Sequence, residues 1–165
     1  MKLKLNNKYN PLFSSDARYF IITGGRGSGK SFAVTVFLTL LTMSKNIRVL
    51  FTRFTMVSAH LSIIPEFLEK ISLLGFENIF SVNKAEVLNL GNQSDILFRG
   101  IKTSAGNQTA SLKSIQGVSC FVLDEAEELI DEDIFDTIDL SIREKEVQNR
   151  IILILNPVTK EHWIY

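Results

Sequence analysis

Short apolar runs alternate with amphipathic stretches along this chain. Tyr19-Phe20-Ile21-Ile22, Ile47 to Thr52, Ser119 to Leu123 and Arg150 to Leu155 have strand length and read as buried strands. Ser31 to Met43 is apolar nearly all round, which predicts a well-buried helix ending at Lys45-Asn46. From near Ser58 to Leu74, residues Leu61, Ile64, Leu68, Ile71 and Leu74 recur at helical spacing. Pro65 marks a first turn or a kink there, and Gly75 is the expected C-cap. Asn78 to Val82, Ala85 to Leu90 and Asp95 to Ile101 read as shorter strands, the last two paired as a hairpin across Gly91-Asn92. Lys102 to Ser111 is polar and predicts a mobile loop, and a further helix is expected from about Ala126 to Ile142. Strands alternating with helices predict an α/β fold: a central, mostly parallel sheet flanked by helices, with a small β-hairpin insertion.

Composition narrows the picture. The 165 residues amount to about one domain, and a hydrophobic content of 45% is enough for a core. A formal net charge of zero argues against a chain that binds polyanions along its whole surface. Cys120 is the only cysteine, which excludes a disulfide framework and suggests a reducing compartment; within its strand it reads as a small core residue. With two separated histidines and one cysteine there is no zinc pattern. The apolar runs are broken by Thr, Ser or Lys, and the basic first residues lack the apolar run of a signal peptide, so a cytosolic protein without a membrane span is expected.

Between the first strand and the first long helix lies Gly24-Gly25-Arg26-Gly27-Ser28-Gly29-Lys30-Ser31. It fits G-x-x-x-x-G-K-[ST], and strand, Gly-rich loop and helix form the setting that motif requires. Successive backbone N–H groups can meet a triphosphate only where glycines let the chain curl tightly, and the helix behind points its positive end at the same place. Lys30 is placed to reach the β- and γ-phosphates and the Ser31 hydroxyl to bind Mg²⁺. The strand ending in Asp124-Glu125 supplies two carboxylates at one tip. Asp124 is suited to the water shell of Mg²⁺, and Glu125 to orienting and deprotonating an attacking water. The alternative, an acidic start to the next helix, suits Glu127, Glu128 and Asp131. Asn156 either contacts the γ-phosphate or the water, or simply opens an Asn-Pro turn. Arg26 could reach phosphate or a neighbouring acid. Arg53, at the carboxyl end of its strand, and Lys113 each divide between a functional role and a solvated surface cation, the commoner outcome. For Lys113 that role is a finger into a neighbouring subunit's site. Tyr9 to Phe13 either packs on the sheet or stacks on a base, and packing is preferred.

Together the loop with its arginine, Lys113 to Val118, Leu123-Asp124-Glu125-Ala126-Glu127-Glu128, Leu155-Asn156-Pro157 and His162-Trp163-Ile164-Tyr165 resemble the ATPase half of a bacteriophage terminase large subunit, the motor that pumps viral DNA into a capsid. The resemblance runs from about Tyr19 to Tyr165. It implies a P-loop NTPase of the additional-strand, RecA-like kind, with a Walker A loop at Gly24, Gly25, Arg26, Gly27, Ser28, Gly29, Lys30 and Ser31 as the ATP site. By the same resemblance Ser31 and Asp124 serve Mg²⁺, Glu125 activates water, Arg26 lies near the γ-phosphate, Asn156 couples ATP state to DNA grip, and Lys113 is a trans-acting cation. Asn10 to Phe13 would lie near an adenine pocket. The implied activity is Mg²⁺-dependent ATP hydrolysis that translocates double-stranded DNA. The implied partners are a portal protein, a terminase small subunit and further copies in a ring, a pentamer around the DNA, with the chain alone a monomer. The implied place is the host cytoplasm. Members also carry an RNase H-like nuclease domain, and this chain ends where that domain would begin, so residues 1–165 are expected to be one ATPase domain without nuclease activity.

Two other readings share the nucleotide site. A helicase- or recombinase-type ATPase would separate strands or form filaments, and the late Asn-Pro and His-Trp-Ile-Tyr segments argue against it. A nucleotide-dependent switch would bind ATP without releasing phosphate.

Overall fold

Side-chain alternation along the strands sorts the apolar residues into two cores, one on each face of a single sheet. In the computed structural model, which describes residues 4–56, 59–103, 106–107 and 112–165, the seven-stranded sheet runs β1-β9-β8-β2-β5-β4-β3. Its strands are β1 (Tyr19–Thr23), β2 (Arg48–Arg53), β3 (Phe80–Val82), β4 (Glu86–Asn89), β5 (Asp95–Gly100), β8 (Cys120–Asp124) and β9 (Arg150–Leu155). The pairs β1–β9, β9–β8, β8–β2 and β2–β5 are parallel, while β4 and β3 add on antiparallel. A separate ribbon pairs β6 (Lys102–Thr103) with β7 (Gly106–Asn107), inside the segment expected to be a loop. Residues 104–105 and 108–111 of that segment lie outside the described residues, as do Ser58, the expected helix start, and the His60 side chain.

One core holds Phe20 and Ile22 of β1, Val49 and Phe51 of β2, Val122 of β8, and Ile152 and Ile154 of β9. It is covered by α1 (Pro11–Ser14), α2 (Lys30–Leu41) and α3 (Ala59–Leu74). The other holds Leu50, Phe121, Leu123, Ile151, Leu153 and Leu155 beneath α4 (Glu132–Asp139), Leu129 and Trp163. Helix α2 is buried continuously from Ala33 to Thr39, as its apolar sequence predicts. The turn that follows α2 is tied to the β4–β5 hairpin: the Asn92 amide donates to the carbonyls of Thr42, Met43 and Ser44, and the Ser94 hydroxyl to that of Ser44.

Several expectations need correction. Strand β1 is an edge strand, not a buried one: among the described residues β9 is its only partner, and Tyr19 and Ile21 are 50% and 56% exposed. An apolar run of strand length does not say whether it lies at the centre or the edge. The buried face of α3 is Ile63, Ile64, Phe67 and Ile71, not the stripe through Leu61 and Leu68, which are exposed. Both stripes share Ile64 and Ile71, and the sheet selects the one whose Phe67 meets Phe51 and Phe98 edge-on. Pro65 lies in the interior of α3 rather than its first turn, on the outer face where water can satisfy the freed carbonyl. The helix expected over 126–142 is broken. Ala126–Glu128 is a single 3-10 turn, Leu129 is extended at ψ 95°, and the Asp131 carboxylate accepts from the Asp133 N–H to start α4 afresh. The β4–β5 hairpin forms as expected, and it widens the main sheet, with β5 paired to β2.

Candidate functional site

The carboxyl ends of β1, β9, β8 and β2 lie side by side along one edge of the sheet, where open α/β sheets bind ligands. Between the strand that enters the Gly-rich loop and the strand that ends in Asp124 runs β9, the additional strand of the expected fold. Register then brings functional groups onto one face. Thr52 pairs with Leu123, so Arg53 and Asp124 follow side by side, and both share parity with residues buried under α2 and α3. Asn156 continues the same parity beyond Ile154. These tips open into a cavity of about 440 Å³ lined by Arg26 to Phe32, Arg53, Glu66, Asp124, Glu125, Glu127 and Asn156.

The Gly-rich loop forms the first wall. A Cβ at Gly24 would lie 2.9 Å from Ser28 Oγ, so that hydroxyl would have to swing aside. Gly29 precedes α2 in the left-handed region at φ +82°, which a side chain would strain. The buried Tyr9 phenol donates to the Ser28 carbonyl at 2.8 Å, anchoring the loop to the N-terminal segment. Tyr9 and Leu12 are core residues and Phe13 meets Phe37 edge-on, so the segment packs against the fold. The Lys30 ammonium lies almost buried among three acceptors: the carbonyls of Gly24 and Gly25 (3.1 Å) and Oδ1 of Asn156 (3.3 Å).

Carboxylates dominate the second wall. Asp124 is 5% exposed, and its Oδ2 accepts from Arg53 Nη2 at 2.6 Å and Nε at 2.8 Å. Arg53 Nε is 3.6 Å from Glu125 Oε2, and its Nη1 donates to Ser62 Oγ on α3 at 3.3 Å. Arg53 is therefore not the solvated cation that was the commoner expectation. Strict alternation would turn Glu125 away from Asp124; instead Glu125 adopts φ +56°, and its carboxylate lines the same cavity. Burial pushes the Glu125 carboxyl above its usual range against the opposing pull of Arg53. Glu66, on α3, also lines the cavity and is raised chiefly by burial, with neighbouring Lys70 pulling the other way. Asn156 bridges the walls: its Nδ2 donates to Glu127 Oε1 at 2.6 Å while its Oδ1 receives Lys30. The Glu127 carbonyl lies 3.2 Å from His162 Nε2, and Trp163 donates to the Leu129 carbonyl and stacks on Phe135, so the chain's last residues pack against this wall.

Lys113 stands apart, in a separate groove of about 320 Å³ with Thr137, Leu140, Ser141 and Arg143. Cys120 is fully buried, which pushes its thiol up to about 12 and leaves it protonated. Sequence reasoning undervalued Arg53 and missed Glu66. The signal for Arg53 is its parity with the buried face of β2. For Glu66 it is a charged i, i+4 pair, Glu66 and Lys70, within an otherwise apolar helical face.

A divalent cation and a triphosphate suit this donor set. Ser28 Oγ and Glu127 Oε2 are buried at the cavity without a hydrogen-bond partner, a cost that a polar ligand would relieve. Ser31 and Asp124 offer the one or two oxygen ligands that Mg²⁺ takes from protein when phosphates and waters supply the rest. Among the described residues, no three His, Cys, Asp or Glu side chains form a self-sufficient metal cage, and no helix is long and apolar enough to cross a membrane.

Comparison with known proteins gives one family. The model for the phage terminase large subunit matches residues 16–165. No curated protein matches the sequence. Among solved structures, the large terminase of a thermophilic bacteriophage is 13% identical with a TM-score of 0.75, covering 98% of this chain and 41% of that one. The ATPase domain of the Thermus phage P74-26 large terminase, solved as a point mutant, is 17% identical with a TM-score of 0.71, covering 98% and 68%. The Phi-28 gp11 DNA packaging motor is 18% identical with a TM-score of 0.62, covering 94% and 52%. The chain thus spans about two fifths of the length of the first of these terminases. At these identities the structures establish a shared fold.

Proposed function

Because the chain belongs to the phage terminase large subunit family, we propose that its cavity binds ATP with Mg²⁺ and hydrolyses it to drive double-stranded viral DNA into a procapsid. The observation that carries this reading is the convergence of the phosphate loop, Asp124, Glu125 and Asn156 on one cavity. In this reading the loop amides of Gly24 to Ser31 cradle the phosphates, and Lys30 exchanges its backbone acceptors for β- and γ-phosphate oxygens. Ser31 and Asp124 hold the metal, which neutralises charge on the phosphates when bound. Glu125 takes the proton of the attacking water. Arg26, exposed on the loop, reaches toward the γ-phosphate. Asn156, bonded to both Lys30 and Glu127, senses whether Lys30 has moved and couples nucleotide state to DNA grip.

The proposal extends to assembly. Lys113 lies outside the cavity of its own chain, as a cation delivered to a neighbour's site would. Assembly into a ring, a pentamer around the DNA, supplies it in trans; portal protein and terminase small subunit are the remaining partners, in the host cytoplasm. In this reading residues 1–165 form the motor domain.

Phosphate release with and without Mg²⁺, followed as the chain is assembled on procapsids with double-stranded DNA, tests the reading. Release that requires Mg²⁺, is slow for the isolated chain and rises on assembly supports a motor. Strand separation in dilute solution would favour a helicase- or recombinase-type ATPase. Nucleotide binding without release, even after assembly, would favour a switch.

A further inference from the structure

Arg53 carries a role of its own, which rests on the reading of Asp124 and Glu125 as the metal and water site. We propose that Arg53 is the resident counter-ion of that site: it holds the two carboxylates in place before nucleotide arrives and yields Asp124 to the divalent cation when the metal–nucleotide complex binds.

Four observations support it. Two guanidinium nitrogens converge on one oxygen, Asp124 Oδ2, at 2.6 and 2.8 Å, while Nε also lies 3.6 Å from Glu125 Oε2. Asp124 ends an apolar strand at 5% exposure, where an uncompensated carboxylate is costly, so a cation is needed even without ligand. The guanidinium lines the same cavity as Lys30 and Ser31, so a metal bound there by Asp124 would share that carboxylate with it. Finally, Arg53 is held from two further sides. Its carbonyl accepts from the Ile101 N–H at 2.9 Å, and its Nη1 donates to Ser62 on α3. A planar fork serves Asp124, Glu125 and Ser62 together, which a lysine point charge does not. Releasing Asp124 therefore leaves Arg53 with Glu125 and α3, still positioned at the water site. Its function is positioning, through the carboxylates, rather than direct chemistry.

The test uses the full chain and the variants R53Q and R53K, with Mg²⁺ alone, a slowly hydrolysed ATP analogue, and ATP. For R53Q without nucleotide, melting in EDTA falls, and Mg²⁺ alone restores it with a shift at least about twofold larger than in the wild type, since the metal now meets unpaired carboxylates. Analogue binding in EDTA stays within about threefold of wild type, while kcat falls about 100-fold with little change in KM. R53K recovers the EDTA melting temperature but not kcat. Should R53Q fold poorly, the pair R53Q/D124N decides the point: removing both charges restores melting relative to R53Q, because no buried carboxylate is left unpaired.

Three results would overturn the proposal: an unchanged Mg²⁺ shift in R53Q, wild-type kcat in R53Q, or full rescue of kcat by R53K. A wild-type chain that binds no analogue would instead remove the nucleotide-site reading and this proposal with it. Wild-type binding and turnover with an R53Q that behaves identically would remove this proposal alone.

Discussion

The two walls of the cavity are built in opposite ways. The phosphate wall is one contiguous stretch, Gly24 to Ser31, whose geometry is set by its own glycines and by the start of α2. The carboxylate wall is assembled from distant pieces: Arg53 from β2, Glu66 from α3, Asp124 and Glu125 from the tip of β8, and Glu127 from the turn after it. The first wall meets anions with backbone dipoles. The second gathers four carboxylates and balances them with Arg53. A local wall can be read from a motif; a collected wall depends on strand order and register, which no short segment encodes.

Differences in how the walls fail follow from this contrast. Within the phosphate wall the largest effect is expected at Lys30. Lys30→Ala removes the one ammonium at the loop and should cost about 10³-fold in turnover. It should weaken nucleotide binding as well, measured by titration with a fluorescent ATP analogue. A variant that bound and turned over normally would mean that the loop is not the phosphate site.

Next comes the backbone of the same wall. Gly29→Ala places a side chain at φ +82°, with only an ordinary 3.9 Å contact to Tyr9, so strain rather than collision sets the cost. Stability should fall by about 1 kcal/mol in denaturant melts. No loss would show that the loop relaxes freely and is not preorganised.

The smallest effect is that of Glu66, on the carboxylate wall, and it depends on pH. Glu66 has its carboxyl raised mainly by burial. The folded protein therefore favours the protonated form. Its stabilising contribution is complete below the ordinary carboxyl value and is lost as pH rises through the raised one. Glu66→Gln should consequently be more stable than wild type at neutral pH, with the gain fading on acidification in denaturant midpoints. A gain that grew toward acid pH would reverse the assigned sign.

The same contrast explains what the sequence disclosed. The loop, the acidic strand tip, the β4–β5 hairpin and the continuous burial of α2 each depend on neighbours within a few residues, and each is legible. The exposure of β1 was not, because the apolarity of Tyr19 to Ile22 is equal at the edge and the centre of a sheet. Nor was the face of α3, because Leu61 and Leu68 compete with Ile63 and Phe67 until Phe51 and Phe98 are in position. The interrupted helix after Asp124 turns on the left-handed Glu125 and on Asp131 capping a new start, two local conformations that the acidic composition masks. Arg53 was visible as a residue at a strand end, but its pairing spans the 71 positions to Asp124 and becomes evident only from register.

The central claim is that both walls act on one nucleotide, the loop holding it and Glu125 activating the water. The most direct measurement compares wild type and Glu125→Gln in two assays on the same preparation, analogue binding in the presence of Mg²⁺ and release of phosphate from ATP. The account predicts binding within about twofold of wild type and release lower by 10² to 10⁴, roughly the range for loss of a general base. Release at the wild-type rate, or binding and release lost together, would contradict it.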